Sequence, residues 1–151
     1  MEPTAKYLKT LLSYYEEEVM GEGYFYALAE HFEESAKLIL LAKIERRAAD
    51  SIRPLLEKYG LNPSDESLLK LQGKAYVERH RTYTWSEFMK YIIDRYPDYL
   101  EEFAALERMA PDEDLYALTI LTDHEVAVID FAKKEIANDP NSSAPLHHYL
   151  R

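Results

Sequence analysis

Apolar residues recur at intervals of three and four along most of this 151-residue chain, and this periodicity limits the possible folds more than any other feature. Such intervals place side chains on one face of an α-helix, whereas a half-buried strand needs strict alternation. Four glycines and seven prolines interrupt the pattern, mostly where helices are expected to end. The sequence has no alternating β pattern and no internal repeat. The fold class is therefore predicted to be all-α, in a single domain of residues 1–151.

Four long amphipathic segments account for most of the chain. Short polar turns join the first segment to the second and the third to the fourth, and Pro97 is expected to bend the third segment. We therefore expect a four-helix bundle made of two antiparallel hairpins joined by a long crossover. The predicted helices span about 4–32, 35–59, 85–109 and 112–137.

The segments outside these helices are shorter and more polar. Residues 60–84 form the predicted crossover and contain a weaker helical pattern at about 65–79. Thr84 and Glu87 have the spacing of a capping box, which marks the start of the third helix. Residues 138–151 form a tail that ends in a short apolar stretch.

Composition excludes several classes of function. The chain carries 18 basic and 28 acidic residues, a formal net charge of −10, so binding of nucleic acid through a positive surface is not expected. Cysteine is absent, which excludes disulfides, iron–sulfur centres and thiol nucleophiles. The longest apolar run, residues 38–42, is too short to cross a membrane, and the amino-terminal segment is not a signal peptide. We therefore expect a cytoplasmic protein without membrane or nucleic-acid partners.

Four glutamates lie on the apolar faces of the predicted helices, where charged residues are uncommon. They are Glu22 on the first helix, Glu45 on the second, Glu102 on the third and Glu125 on the fourth. An ionised carboxylate that is buried without a partner costs several kcal/mol, so each of them needs a cation, a proton or water. One carboxylate from each helix, converging inside a bundle, would suit two divalent cations. The acids therefore predict a dinuclear metal centre.

The spacing of the first two acids supports their convergence. Glu22 lies eleven residues before Glu33, and Glu45 lies eleven residues after Glu34. In an antiparallel hairpin that turns at this pair, both carboxylates stand at one level. Glu22 and Glu45 are therefore predicted to share one ion or one proton.

The acid of the third helix is left open between two residues. Glu125 lies thirteen residues past Asp112, and the matching position on the third helix is Asp98. Glu102 lies one helical turn closer to the loop and on the same side of the helix. Either residue can supply the third carboxylate.

An alternative interpretation needs no metal. Nearby arginines can act as counter-ions, so a structural ion-pair network accounts for the same acids. The chain would then be a helical module that binds a partner protein or itself. Self-association as a homodimer is also expected, because Tyr14, Phe25 and the aromatic stretch 83–91 provide more apolar surface than the core of one bundle can bury. The arginines available as counter-ions to the glutamates are Arg46, Arg47, Arg53 and Arg95.

Two short motifs are similar to the ferritin-like, rubrerythrin-related family of di-iron domains. Gly21–Tyr24 on the first helix, followed by Ala42–Glu45 on the second, looks like the first half of such a domain, and Asp123–Glu125 looks like its fourth helix. The resemblance implies a ferritin-like bundle with a centre of iron or manganese and a redox or oxygen-related role. The ligands that it implies are Glu22, Glu45, Glu125 and a third-helix acid, either Glu102 or Asp98.

The chain departs from this family at two ligand positions. In the family a histidine follows the second- and fourth-helix glutamates by three residues, whereas Ala48 and Val128 stand at those places here. His124 and Glu18 are the replacement ligands that the same bundle offers, and His124 shares a helix face with the apolar Phe131. The sequence has no phosphate-binding loop, nucleophile elbow or zinc-protease motif, so no catalytic residue is assigned.

Overall fold

Helices form wherever the apolar periodicity is sustained. The computed structural model describes residues 2–151, and over that range the chain is all-α and without a strand. Single turns of 3₁₀-helix lie at Tyr76–Arg79 and Asp112–Asp114. None of the helices between residues 2 and 151 is both long and apolar enough to cross a lipid bilayer. The α-helices of the described range are α1 Ala5–Leu28, α2 Ser35–Lys58, α3 Glu66–Ala75, α4 Trp85–Arg95, α5 Pro97–Met109, α6 Leu115–Ile136 and α7 Ala144–Tyr149.

The hydrophobic core has two halves, and their members give the directions of the long helices. Phe25 near the end of α1 shares one half with Leu41 near the start of α2. Leu11 in the first part of α1 shares the other half with Ile52 in the last part of α2. The two helices are therefore antiparallel. α6 packs against α2, α4, α5 and α7, so it closes the core on the side away from α3, which packs against α1.

The all-α prediction is confirmed, but several helix boundaries differ. α1 ends at Leu28 rather than near residue 32, and the crossover 60–84 contains the ten-residue helix α3. The predicted fourth helix begins at Leu115 as α6, after a turn of 3₁₀-helix. The tail 138–151 contains the short helix α7, whose Leu146 is buried in the core.

The predicted third helix is two helices, because the chain breaks at Tyr96. Pro97 has no backbone N–H and cannot continue the hydrogen-bond ladder of α4, so it becomes the first residue of α5. The capping box at the start of α4 is present as predicted, since the Thr84 side chain accepts from the Glu87 backbone and Glu87 reaches back to Thr84. Pro54, in contrast, stays within an unbroken α2.

Two glycines let α3 lie directly on the backbone of α1. A Cβ atom built on Gly73 would stand 1.8 Å from the backbone oxygen of Met20, and one on Gly23 would stand 2.5 Å from the backbone oxygen of Lys70. Real Cβ atoms do not approach so closely, so neither position accepts a side chain without movement of a helix. Glycine therefore sets the separation of α1 and α3.

Asp114, just before α6, is fully buried and ties three elements together. Its carboxylate accepts hydrogen bonds from the Tyr7 hydroxyl of α1 at 2.7 Å, the Tyr59 hydroxyl after α2 at 2.6 Å and the Lys58 ammonium at 2.8 Å. Burial alone would raise the pKa of Asp114, but these donors outweigh burial and hold the pKa below its usual value. The network fastens one end of the bundle.

Candidate metal centre

Three of the predicted ligands meet in the interior of the protein. Glu18 of α1, Glu45 of α2 and His124 of α6 are all buried, and each offers one donor atom within 4.8 Å of the others. Among residues 2–151 this is the only group of three or more histidine, aspartate or glutamate side chains gathered so closely. The three side chains meet because each lies on the apolar, inward-facing side of its own long helix.

The distances within this cluster suit one bound cation. His124 Nε2 lies 2.9 Å from Glu18 Oε2 and 3.1 Å from Glu45 Oε2. Donor atoms that share one transition-metal ion at about 2.1 Å stand roughly 3 Å apart. The separations are therefore those expected of neighbouring ligands around a single ion.

The three donor atoms have no partner outside the cluster. His124 Nε2, Glu18 Oε2 and Glu45 Oε2 are buried and face one another, so an ion or a shared proton that satisfies them has to lie between them. Buried polar atoms in folded proteins are almost always satisfied, and an unsatisfied group costs about 1–3 kcal/mol. A cation placed between the three atoms would satisfy all of them at once.

The orientation of the His124 ring is fixed from its other side. Nδ1 is hydrogen-bonded to the backbone oxygen of Leu121, one turn earlier on α6, and therefore carries the hydrogen. The ring also lies near Phe103 and Tyr149, with centroid distances of 5.7 and 6.5 Å. Metal-ligating histidines usually donate the other ring N–H to a carbonyl or carboxylate, and the Nδ1 bond to Leu121 has this form.

Electrostatics show how strongly the cluster attracts positive charge. Burial raises the pKa of Glu45 well above its ordinary value, and the neighbouring Glu18 raises it further. Burial would lower the pKa of His124, but the carboxylates of Glu18 and Glu45 outweigh burial and raise it. Without a metal ion, protons therefore occupy the cluster, and a metal ion would have to displace them.

Glu125 lies at the edge of this cluster. Its Oε2 is 3.7 Å from His124 Nε2, and its buried Oε1 finds no hydrogen-bond partner among residues 2–151. Burial raises its pKa to about 8. Glu125 is therefore close enough to the first three donors to act as a fourth ligand or as a hydrogen-bonding group beside the ion.

The structure corrects the predicted role of Glu22, whose carboxylate belongs to a different network. Arg46 donates to it, with Nη2 2.6 Å from Oε1, and Lys70 Nζ lies 3.4 Å away. Arg46 and Lys70 also contact Glu66 of α3. Glu22 therefore fastens α3 to α1 and α2, and its carboxylate pairs with Arg46 of α2 instead of joining Glu45 in the cluster. The contacts of Glu22 are those of the structural ion-pair network that the metal-free interpretation of the sequence expects.

The third-helix acids also lie away from the cluster. Asp98 and Glu102 are both exposed on α5. Because the helix restarts at Pro97, the side chains that face the cluster from this part of the chain are tyrosines, and the charge of Glu102 acts on Glu125 only through space, raising its pKa. The structure therefore provides acids from three helices rather than from four.

A cavity of about 330 Å³ opens above the cluster, a volume in the range of small-molecule sites. Glu18, Glu45 and Glu125 are the part of its lining that belongs to the cluster, which we call the floor, whereas His124 does not line it. Aromatic side chains form most of the wall, and Gly21 borders Glu45 so closely that an added Cβ would stand 3.1 Å from its carboxyl carbon. The aromatic lining residues are Tyr24, Phe25, Tyr76, His80, Tyr91, Tyr96 and Tyr99.

His80 is a wall residue that the sequence interpretation missed. Placed in the crossover, it would be expected in solvent, yet it is buried and lies 4.4 Å, centroid to centroid, from Tyr91. Burial lowers the pKa of His80 and raises that of Tyr24, and the Tyr24 hydroxyl and His80 Nδ1 are hydrogen-bonded at 2.5 Å. The recurrence of tyrosines between residues 76 and 99 is the sequence signal that could have indicated this wall.

The fold and the site together define an all-α protein with a buried histidine–carboxylate cluster at the base of an aromatic cavity. Comparison with models of known protein families, with curated proteins and with solved structures finds no match to this chain.

Proposed function

We propose that this protein binds one divalent transition-metal ion through Glu18, Glu45 and His124, with Glu125 beside it. The observation that carries the proposal is the His124 ring, whose Nδ1 is occupied by Leu121 and whose buried Nε2 faces only carboxylates. This arrangement costs stability unless a cation fills it.

The donor set favours manganese or iron. Carboxylate oxygens suit hard ions such as manganese and magnesium, while an imidazole nitrogen shifts the preference towards iron and zinc. A second ion would need the carboxylates of Glu22 and Glu102, which lie elsewhere. We therefore propose a single ion instead of the dinuclear centre that the sequence suggests. When bound, such an ion would supply Lewis acidity or a redox couple at the cavity floor.

A ferritin-like arrangement of the long helices remains part of the proposal. It is supported by the antiparallel pair α1 and α2, and by a core in which α6 packs against α2, α4 and α5. In this arrangement residues 60–84 are the long crossover, and α3 is an addition that covers α1.

Metal analysis of matched variants tests the proposal. Protein purified without an affinity tag, stripped with chelator and dialysed against Mn²⁺ should retain about one ion per chain, measured by elemental analysis. Glu45→Gln should abolish retention because it removes a cluster ligand. Glu22→Gln is the matched control, because it makes the same chemical change in the ion-pair network of Glu22 and Arg46, outside the cluster. It should leave Mn²⁺ retention intact. Retention that is at background in the parent protein, or equal in both variants, would contradict the proposal.

The second candidate is a metal-free module that binds itself or a partner protein. Leu68 and Leu71 of α3, which are 49% and 64% exposed, favour this function because they present apolar surface on the helix that covers α1. The metal analysis above separates the two candidates, since an interaction module has no need of the ion.

A further inference from the structure

We infer that the cavity above the cluster binds a small, neutral, planar aromatic molecule whose hydroxyl oxygen reaches the metal ion. This inference rests on the proposed metal site and names the class of ligand that would share it. It comes from the relation between the floor and the wall of the cavity, which are built from different kinds of side chain.

The ion would be open on the side of the cavity. Glu18, Glu45 and Glu125 line the floor, while His124 does not line the cavity. Three or four protein donors leave at least one position free on an ion that prefers five or six ligands. Because all four side chains are buried, a ligand in the cavity that reaches the floor would meet this free position.

The wall selects for a flat ring. Phe25 is buried and Tyr24 and Tyr91 are held by contacts with His80, at centroid distances of 5.8 Å for Tyr24 and 4.4 Å for Tyr91. Aromatic rings prefer edge-to-face or offset-stacked neighbours, and preformed rings of this kind offer such surfaces. The volume of about 330 Å³ limits the ligand to a small molecule.

The charge of the site excludes anions. Glu18 and Glu45 alone neutralise a divalent ion, and the carboxyl groups of Glu125 and Glu17 also line the cavity, so the floor has no excess of positive charge. Arg79 is the only lining residue with a fixed positive charge, and its guanidinium already lies 4.5 Å from the ring centroid of Tyr76. A carboxylate or phosphate ligand would therefore be repelled from the floor.

Hydrogen-bond donors for a ligand oxygen are also in place. Tyr96 and Tyr99 border the break between α4 and α5 and line the cavity. Burial raises the pKa of both hydroxyl groups, so they remain protonated and can donate. A phenol or a similar hydroxylated ring would combine these bonds with stacking and with a bond to the ion.

The relaxation of ligand protons measures binding beside the ion directly, because Mn²⁺ is paramagnetic and speeds the relaxation of nearby protons. We expect Mn²⁺-loaded protein to speed the relaxation of phenol ring protons, and to act much less on benzoate, cyclohexanol or tetramethylammonium. Tyr91→Leu should weaken phenol binding about 2- to 10-fold. Tyr99→Leu, at a site that is 40% exposed, serves if the first variant does not fold. Tyr116→Leu, at an 80% exposed site on α6, is the control and should have no effect.

The outcomes separate the two proposals. Elemental analysis of the same samples reports bound Mn²⁺, and its absence from the parent protein would end both proposals. Bound Mn²⁺ with unchanged phenol relaxation would overturn the ligand inference alone. Equal or stronger effects on benzoate, cyclohexanol or tetramethylammonium would also overturn it, since they would show that charge or volume, and not a hydroxylated ring, decides binding.

Discussion

His124 differs from the other histidines of the chain in the use of its two ring nitrogens. His31, His147 and His148 are exposed, and His80 is paired with Tyr24. Only His124 combines a ring that is wholly buried with a nitrogen that faces two carboxylates. A single residue thus links the electrostatics of the interior to the proposed function.

Replacing Glu45 should distinguish a metal site from a structural ion-pair triad. Without metal, the folded protein has to protonate Glu45, which is ionised in the unfolded chain at pH 7, so Glu45→Gln should raise the free energy of unfolding at that pH by about 1 kcal/mol or more. Mn²⁺ at a hundred times its Kd should stabilise the parent by about 2.7 kcal/mol and leave the variant unchanged. Chemical denaturation with and without Mn²⁺ measures both effects. A variant less stable than the metal-free parent would instead indicate that a charged His124 needs both acids.

At the scale of elements, α3 is the helix whose position depends most on backbone contact. Gly73 and Gly23 bring it against α1, and the network of Glu22, Arg46 and Glu66 holds it there. Gly73 also lines the cavity. The separation of the two helices therefore affects both stability and the shape of the wall.

Gly73→Ala should destabilise the protein by about 1–3 kcal/mol or more, because the new methyl group would overlap the Met20 carbonyl and push α3 outwards. Thermal unfolding followed by circular dichroism measures the change. Gln72→Ala, at an exposed neighbouring position, is the control and should lie within about 0.5 kcal/mol of the parent. Equal stability of the two variants would show that α3 does not rest on α1.

At the scale of the whole molecule, the Asp114 network should make stability depend on pH. The pKa of Asp114 is lowered in the folded protein, so its contribution is complete above the unfolded value of about 3.9 and is lost as the pH falls through the folded value. Asp114→Asn should therefore cost about 1.5–3 kcal/mol at pH 7, and the difference from the parent should shrink at acid pH. Urea denaturation at several pH values measures it. Asp112→Asn, on the exposed side of the same turn, should show no such trend.

Self-association stays a prediction, with a changed basis. Phe25, one of the residues that suggested it, is 1% exposed and belongs to the core, whereas Leu71 and Tyr116 are the more exposed apolar side chains. We expect a dimer in sedimentation experiments at micromolar concentration. A single species of 17.7 kDa over that range would contradict the expectation.

The sequence predicts the long helices well because their apolar spacing is sustained over many turns. Pro97 predicts a bend in the third helix, and the structure has a full break there, at Tyr96. The packing of α3 is not predicted, since it depends on backbone contacts that periodicity does not describe. For the site, the apolar stripes correctly place Glu45 and Glu125 in the interior. They cannot show that Glu22 turns to Arg46 while Glu18 turns to His124, because that choice follows from side-chain torsions and from the nearest cation.

The floor and the wall of the cavity come from different stretches of chain. The ionisable floor belongs to α1, α2 and α6, whereas much of the wall belongs to residues 76–99. Selection or engineering can therefore act on the two parts separately. A library that varies Tyr91, Tyr96 and Tyr99 would change the shape offered to a ligand while Glu18, Glu45, His124 and Glu125 stay in place, so proteins with one shared interior cluster and many cavity shapes are accessible from this scaffold.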